Sequence, residues 1–125
     1  MDKNKVTQHP EMQQIIGEIF RNLISNAIKY RKLDHPEPSI EITAHCTEDV
    51  NEISCKDNGI GIPTESLGRI FEMFYRASEQ SDGSGLGLYI VKNAVDKLAG
   101  VVRVDSEPGQ GTTFKIVLPN RIQKK

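Results

Sequence analysis

The chain has 125 residues, 37% of them hydrophobic and 26% charged, which is enough for one globular domain and too little for two. Its 16 Lys and Arg residues against 17 Asp and Glu give a formal net charge of −1, so overall charge favours neither nucleic acid nor an anionic membrane as a partner. The apolar runs are short, and the first residues lack the apolar core of a secretory signal. We therefore expect a cytoplasmic location without direct membrane contact.

A long amphipathic helix is predicted near the start of the chain. Residues 1–9 are polar and aperiodic, so we expect them to be a disordered lead-in. Pro10 suits the first turn of a helix, and the helical pattern continues to about Arg31. Apolar side chains at helical spacing form one broad stripe, which contains Ile16, Ile19, Phe20, Leu23, Ala27 and Tyr30.

Two pairs of strands are predicted in the rest of the chain. Alternating apolar and polar residues indicate a hairpin of strands over 40–44 and 52–56. A second pair is predicted over 101–104 and 112–118, joined by a turn at 108–111.

Helical segments separate these two pairs of strands. After a glycine-punctuated loop we expect a short helix from Thr64 to Ile70, with Thr64 as its N-cap. A longer helix is predicted from Leu86 to Ala99, ended by Gly100. This order predicts an α+β fold, a two-layer α/β sandwich whose mainly antiparallel, mixed sheet is covered on one face by about three helices. The domain is expected to span 10–120, followed by a tail over 121–125.

The cysteines and histidines indicate no metal or redox site. Cys46 and Cys55 are far from a C-x-x-C spacing and lie in β-like runs, so we expect buried, reduced strand residues, with a single disulfide as the alternative. The three histidines lack the spacing of metal ligands.

Two asparagines on the first helix are the first candidates for function. Asn22 and Asn26 are four residues apart and therefore share a face, with Lys29 beside them. Asparagine is a poor residue for a helix interior, so its presence there needs a reason. The pair either bonds neighbouring backbone and faces water, or forms a groove wall with an amide oxygen for Mg²⁺ and an ammonium for phosphate.

Three glycine-rich segments are further candidates. In Asp57-Asn58-Gly59-Ile60-Gly61, the carboxylate is an acceptor that would select the amine of adenine, although a simple turn is the alternative. The segment 83–88 leads into a helix and so could bind an anion, or serve only as a flexible hinge. The segment 109–113, taken alone, indicates an ordinary tight turn.

In combination, these elements resemble the GHKL superfamily of ATP-binding domains. Residues 22–30 resemble the asparagine box of two-component sensor histidine kinases, and residues 70–76 resemble their phenylalanine box. The resemblance covers about residues 11–119, with all boxes in order, and implies the histidine-kinase ATPase fold. In the ATP-hydrolysing branches a glutamate base stands at the position of Asn22, and an amide cannot take a proton from water. The resemblance therefore implies phosphoryl transfer rather than hydrolysis.

The resemblance also implies roles for single residues, with ATP and Mg²⁺ as cofactors. Asn26 would ligate Mg²⁺, Asp57 would accept a hydrogen bond from the adenine amine, and Arg76 would be a lid arginine that reaches the γ-phosphate. Catalysis would involve Asn22, Lys29 and Arg76. Nucleotide would be bound by Asn26, Lys29, Tyr30, Asp57, Gly59, Gly61, Ile62, Phe74, Gly83, Gly85, Leu86, Gly87 and Thr112. The segment 77–84 is expected to be the most mobile part without nucleotide.

One departure from the family concerns the phosphoacceptor. The family's acceptor histidine lies in an H-[ED]-x-[RK]-x-P context on a two-helix dimerisation domain, which the sequence around His9 does not match. We therefore expect a monomeric fragment of a longer kinase, whose parent can be membrane-anchored. Its partners would be the dimerisation and histidine-phosphotransfer domain of that kinase and a response regulator receiver domain. The alternatives are a serine kinase of the same superfamily, a non-catalytic nucleotide-sensing module and, disfavoured by Asn22, an ATPase.

Overall fold

The computed structural model describes residues 10–34, 37–73, 75 and 86–119. The first helix, α1, runs from Pro10 to Lys29, and the second, α2, from Gly87 to Lys97. Four strands complete the described fold: β1 Ile40–Cys46, β2 Val50–Asp57, β3 Val101–Glu107 and β4 Gly111–Pro119. The lead-in over 1–9 and the tail over 121–125 lie outside the described residues. Within the described ranges, no helix has the length and apolarity needed to cross a membrane.

The strands form one sheet in the order β1-β2-β4-β3, and all three neighbouring pairs are antiparallel. β2 and β4 therefore occupy its centre, although they lie far apart in the sequence. Their register pairs Asp57 at the end of β2 with Thr112 at the start of β4. The α+β prediction is confirmed. The described part of the sheet is purely antiparallel rather than mixed, and two α-helices are described rather than about three.

The core lies between the two helices and one face of the sheet. β4 alternates, with Phe114 and Ile116 buried and Lys115 between them exposed, because successive side chains of a strand point to opposite faces. The most enclosed large side chains are Phe114, Ile19, Leu23, Ile116, Val91 and Val95. Each contributes about 1.5–3 kcal/mol when fully buried. This packing holds α1 and α2 against the sheet face that carries Phe114 and Ile116.

β1 is the exposed edge of the sheet, and this corrects one prediction. Every residue of β1 is exposed, including Cys46, whereas Cys55 on β2 is buried as expected. Both thiols are free, so the disulfide alternative is wrong. Alternation in the sequence gave the correct strand, but it could not show that the helices leave this strand uncovered.

The short helix predicted from Thr64 to Ile70 is present only over its first three residues. A 3₁₀ helix covers Thr64–Ser66, and turns with i to i+3 hydrogen bonds follow it. The N-cap residue is Pro63 rather than Thr64, and no side chain caps this helix. Gly68 explains the early end, because glycine is a poor residue for a helix interior.

The C-terminus of α2 also differs in detail. The helix was predicted to run to Ala99 and to end at Gly100, whereas it ends at Lys97 and Ala99 has a left-handed conformation, with φ of 59°. The N–H of Gly100 bonds the carbonyl of Val95 at 2.9 Å and so closes the helix. A Cβ at position 100 would lie 2.6 Å from the carbonyl oxygen of Val117, so close packing on β4 requires glycine here.

Candidate functional site

A cavity of about 400 Å³ opens between the end of α1, the loop after β2 and the start of α2. This volume is within the range of small-molecule sites. The residues that line it are Asn26, Tyr30, Ile60, Gly61, Ile62, Pro63, Ile70, Tyr75, Leu88 and Pro108. Four of them, Asn26, Tyr30, Gly61 and Ile62, belong to the predicted site. The wall is largely apolar with one amide, which suits a flat apolar ring attached to a polar group.

Helix α1 sets the polar wall of the cavity through its four-residue repeat. Asn22, Asn26 and Tyr30 follow one another at i, i+4 and i+8 and therefore share a face. Asn26 is half-buried at the cavity, and its amide oxygen is the type of hard donor that Mg²⁺ accepts. A nucleotide-bound Mg²⁺ takes its remaining ligands from phosphate and water, so one protein amide fits the required donor set. Lys29 is exposed and does not line the cavity, so its contact with phosphate stays a prediction.

Asn22 lies one turn before Asn26 and does not line the cavity. Its amide nitrogen donates to the carbonyl oxygen of Glu18 at 2.8 Å, which is the backbone-bonding alternative considered from the sequence. A Cβ built at Gly87 would lie 3.3 Å from the Asn22 Oδ1, so this oxygen faces the first turn of α2. Asn22 therefore lies beside the N-terminal turn of α2.

Asp57 is held at the end of β2 by backbone N–H groups. Its Oδ1 accepts a hydrogen bond from the N–H of Gly59 at 2.8 Å, and the backbone N–H of Thr112 also bonds the carboxyl group. The residue is only 8% exposed. Burial raises the pKa of Asp57, and the two N–H groups oppose this shift only in part. The neighbouring Cys55 thiol also has a raised pKa, first because it is buried and then because of the charge of Asp57.

Asp57 and Thr112 do not line the cavity but lie where the strands enter the loops that form its wall. The loop after Asp57 is fixed from three sides. Its Ile60 N–H donates to the carbonyl of Tyr30 at 2.9 Å, and its Ile60 carbonyl accepts from Gly109 at 2.7 Å. The Ile62 N–H donates to the Ser106 hydroxyl at 2.8 Å. The loop is therefore a rigid connection between α1 and the β3–β4 turn.

The glycines of this loop serve backbone packing. A Cβ at Gly59 would overlap the carbonyl oxygen of Tyr30, and one at Gly61, where φ is +79°, would overlap that of Glu107. The family resemblance implies that these glycines contact nucleotide. In the structure they first allow the loop to approach its own neighbours, which is what shapes the cavity wall.

Tyr75 lines the cavity but was not among the site residues predicted from the sequence. Its hydroxyl donates to the Ser66 hydroxyl at 2.8 Å, and the guanidinium of Arg69 lies 4.6 Å from the centre of its ring. Phe71 packs edge-on against Phe114 of β4, with ring centres 6.3 Å apart. These contacts anchor the segment after the 3₁₀ helix to the sheet and hold Tyr75 at the cavity.

Other wall residues were also missed, namely Ile60, Pro63, Ile70, Leu88 and Pro108. Ile60, Ile70, Tyr75 and Leu88 lie within motifs that the sequence did single out, so membership of these motifs was the available signal. The predicted site residues Phe74, Arg76, Gly83 and Gly85, and the whole of the predicted mobile segment 77–84, lie outside the described residues. Leu86 immediately precedes α2, and Gly87 begins it.

Comparison with known proteins gives consistent similarities. Residues 12–122 match the model of the family described as histidine kinase-, DNA gyrase B-, and HSP90-like ATPase. The chain is 35% identical over 121 residues, or 94% of its length, to the probable C4-dicarboxylate sensor kinase of Bacillus subtilis strain 168. It is 40% identical over 116 residues, or 89% of its length, to the sensor-like histidine kinase SenX3 of Mycobacterium tuberculosis strain H37Rv. The chain spans only 22% and 27% of these two proteins.

Solved structures show the same similarity. The mycobacterial sensor histidine kinase MprB superposes with a TM-score of 0.74 at 33% identity, covering 85% of this chain and 72% of that one. Full-length ShkA in complex with AMPPNP superposes with a TM-score of 0.71 at 31% identity, covering 84% of this chain and 21% of that one.

Proposed function

The chain belongs to the histidine kinase-, DNA gyrase B- and HSP90-like ATPase family, and from this premise we propose that it binds Mg-ATP and transfers the γ-phosphoryl group to a histidine of a separate domain. The cavity of about 400 Å³ between α1, the loop after β2 and α2 is the observation that carries the proposal. AMPPNP, bound by the similar protein ShkA, carries an adenine base and a chain of three phosphorus atoms, as ATP does. An adenine ring would fill the apolar part, with Asp57 accepting from its amine and Tyr30 beside the sugar or base.

The Asn26 amide would hold the Mg²⁺, which supplies positive charge to the phosphate oxygens. The chain's own residues would do the positioning. α1 presents Asn26, Tyr30 follows the last residue of α1, and the backbone N–H groups at the start of α2 would face the phosphates beside Asn22. Fixed donors of this kind align a phosphate chain without reorganising during transfer.

Transfer is favoured over hydrolysis because Asn22 offers no base. An amide does not accept a proton at neutral pH, and the Asn22 amide nitrogen is already bonded to Glu18. The proposed acceptor is the dimerisation and histidine-phosphotransfer domain of a longer kinase, and the phosphoryl group would then pass to a response regulator receiver domain. The curated relatives are four to eight times longer than the aligned domain, which leaves room for such parts.

Phosphoryl transfer to separately supplied domains tests this proposal. The chain is mixed with γ-labelled ATP, Mg²⁺ and a panel of two-helix dimerisation domains from sensor kinases, each paired with a variant that lacks its acceptor histidine. We expect acid-labile label on at least one intact domain, none on the matching variant and none on this chain alone. Rapid steady-state ATP hydrolysis without an acceptor would contradict the proposal, and ATP binding without any transfer would favour a nucleotide-sensing module.

Asn26→Ala is expected to weaken Mg²⁺-dependent ATP binding by at least about tenfold, because it removes the protein's oxygen ligand to the metal. Calorimetric titrations with ATP, one in the presence of Mg²⁺ and one in the presence of EDTA, measure the effect. The matched control is Asn93→Ala, which removes an exposed asparagine of α2 and should bind as the wild type does. If Asn26→Ala weakened binding equally with and without Mg²⁺, the metal role would be wrong.

A further inference from the structure

Three polar residues form one row across the sheet beside the proposed base site. Ser106 of β3 is the register partner of Thr112 of β4, and Thr112 is the partner of Asp57 of β2. Cross-strand partners project from the same face, so these three side chains are neighbours. Asp57 and Thr112 are buried and Ser106 is half-buried. Neither the sequence motifs nor the proposed function gives Ser106 a role.

The Ser106 hydroxyl makes three contacts at hydrogen-bond distance. The Ile62 N–H donates to its Oγ at 2.8 Å. The carbonyl oxygen of Gly111 lies 2.9 Å away, and the Thr112 hydroxyl oxygen also lies 2.9 Å away. The first contact ties the loop that lines the cavity to β3, and the other two tie β3 to the start of β4.

The number of protons available for donation determines which group donates in each of these three hydrogen bonds. A serine hydroxyl has one proton to donate and can accept two hydrogen bonds. The Gly111 carbonyl can only accept and the Ile62 N–H can only donate. All three contacts are hydrogen bonds only if Ser106 donates to Gly111 and the Thr112 hydroxyl donates to Ser106. The Thr112 proton is then committed, and its oxygen offers only lone pairs to other groups.

We propose that Ser106 is a positioning residue for base selection, which fixes the Thr112 hydroxyl as a hydrogen-bond acceptor beside the Asp57 carboxylate. This inference rests on the proposed nucleotide site. Two adjacent acceptors match the two hydrogens of an exocyclic amine and oppose a carbonyl oxygen at the same position of a purine. A water between Thr112 and the base would donate to Thr112 and turn a lone pair to the amine, which preserves the preference.

Ser106→Ala removes the acceptor that holds the Thr112 proton. The hydroxyl can then rotate and donate to a 6-oxo purine, so discrimination between purines should fall. Because the Ile62 N–H also loses its partner, overall affinity can fall as well, and the informative quantity is the ratio of two affinities. Inosine diphosphate carries an oxygen in place of the amine of ADP. We expect the ratio of the affinity for ADP to that for inosine diphosphate to fall by roughly five- to tenfold.

Calorimetric titration with ADP and inosine diphosphate tests this in five proteins: wild type, Ser106→Ala, Ser106→Thr, Thr112→Val and the double variant Ser106→Ala/Thr112→Val. Ser106→Thr keeps the hydroxyl and should retain the wild-type preference. Thr112→Val should lose preference as Ser106→Ala does, and adding Ser106→Ala to it should cause no further loss. Thermal melting of each variant without nucleotide verifies that it is folded. If Ser106→Ala does not fold, the preference for ADP is compared between Thr112→Val and the wild type instead.

The role of Ser106 would be overturned if Ser106→Ala weakened the binding of ADP and of inosine diphosphate equally, or if Thr112→Val kept the wild-type preference. Nucleotide binding itself would still stand. Failure of the wild type to bind ADP would instead overturn the nucleotide site itself, and this role with it.

Discussion

Asp57→Asn is expected to weaken ATP binding by about 1–3 kcal/mol, because it turns an acceptor toward the adenine amine into a donor. The geometry dictates which way the new amide faces. The Gly59 N–H donates to Oδ1 at 2.8 Å, so the amide oxygen must take that place. The amide NH₂ would then replace the other carboxylate oxygen, so that a donor would oppose the adenine amine. Calorimetric titration in excess Mg²⁺ measures the loss.

The control for this substitution is Asp105→Asn, on β3, where the carboxylate is exposed and outside the cavity. It removes the same charge and should leave ATP affinity unchanged. Free Asp57→Asn should remain folded at neutral pH, because its amide oxygen can still accept from the Gly59 N–H. The pKa of Asp57 is raised by folding, so the wild type loses stability as pH rises through that pKa, whereas the asparagine variant has no such loss. A variant that lost ATP binding because it unfolded would contradict this account.

Gly111→Ala is expected to lower the free energy of unfolding by about 3 kcal/mol or more, through overlap and backbone strain together. Gly111 has φ of +125°, and a Cβ there would overlap the carbonyl oxygen of Asp57 and lie 3.0 Å from the Cα of Asn58. These are backbone atoms of the adjacent strand and cannot rotate away. The central strands β2 and β4 would have to separate where Asp57 and Thr112 pair, so ATP affinity should fall too.

Gly109→Ala is the matched control in the same turn. Gly109 also has positive φ, +83°, but a Cβ there meets nothing within 4 Å. This variant should lose only about 1–2 kcal/mol from backbone strain and should keep its ATP affinity. Urea unfolding of both variants measures the difference. Equal destabilisation at the two positions would show that close packing against Asp57 is not what requires glycine at 111.

Local patterns predicted the elements well, because they depend on neighbours in the sequence. The four-residue repeat placed Asn22 and Asn26 on one helix face, and period-two alternation identified the strands. The pairing of β2 with β4 brings Asp57 beside Thr112, and this contact depends on the whole sheet rather than on either segment. The sequence could therefore identify both residues through their motifs, but not their shared hydrogen bond.

Tertiary packing also explains the features that were missed. Tyr75 is held at the cavity by its hydrogen bond to Ser66 and by the Arg69 guanidinium over its ring. Neither contact follows from a periodic pattern in the sequence. Cys46 alternates as a buried strand residue would, yet every residue of β1 is exposed in the described part of the chain. The motif drew attention to the glycines at 59 and 61, but their packing against Tyr30 and Glu107 became visible only in three dimensions.

The most direct test of the central claim is a calorimetric titration of the chain with ATP and with GTP, each in excess Mg²⁺. The cavity and the acceptor carboxylate of Asp57 predict one ATP per chain and an affinity for GTP that is at least roughly tenfold weaker, since guanine presents a carbonyl oxygen where adenine presents its amine. Equal affinity for the two nucleotides, or no binding of ATP, would contradict the account.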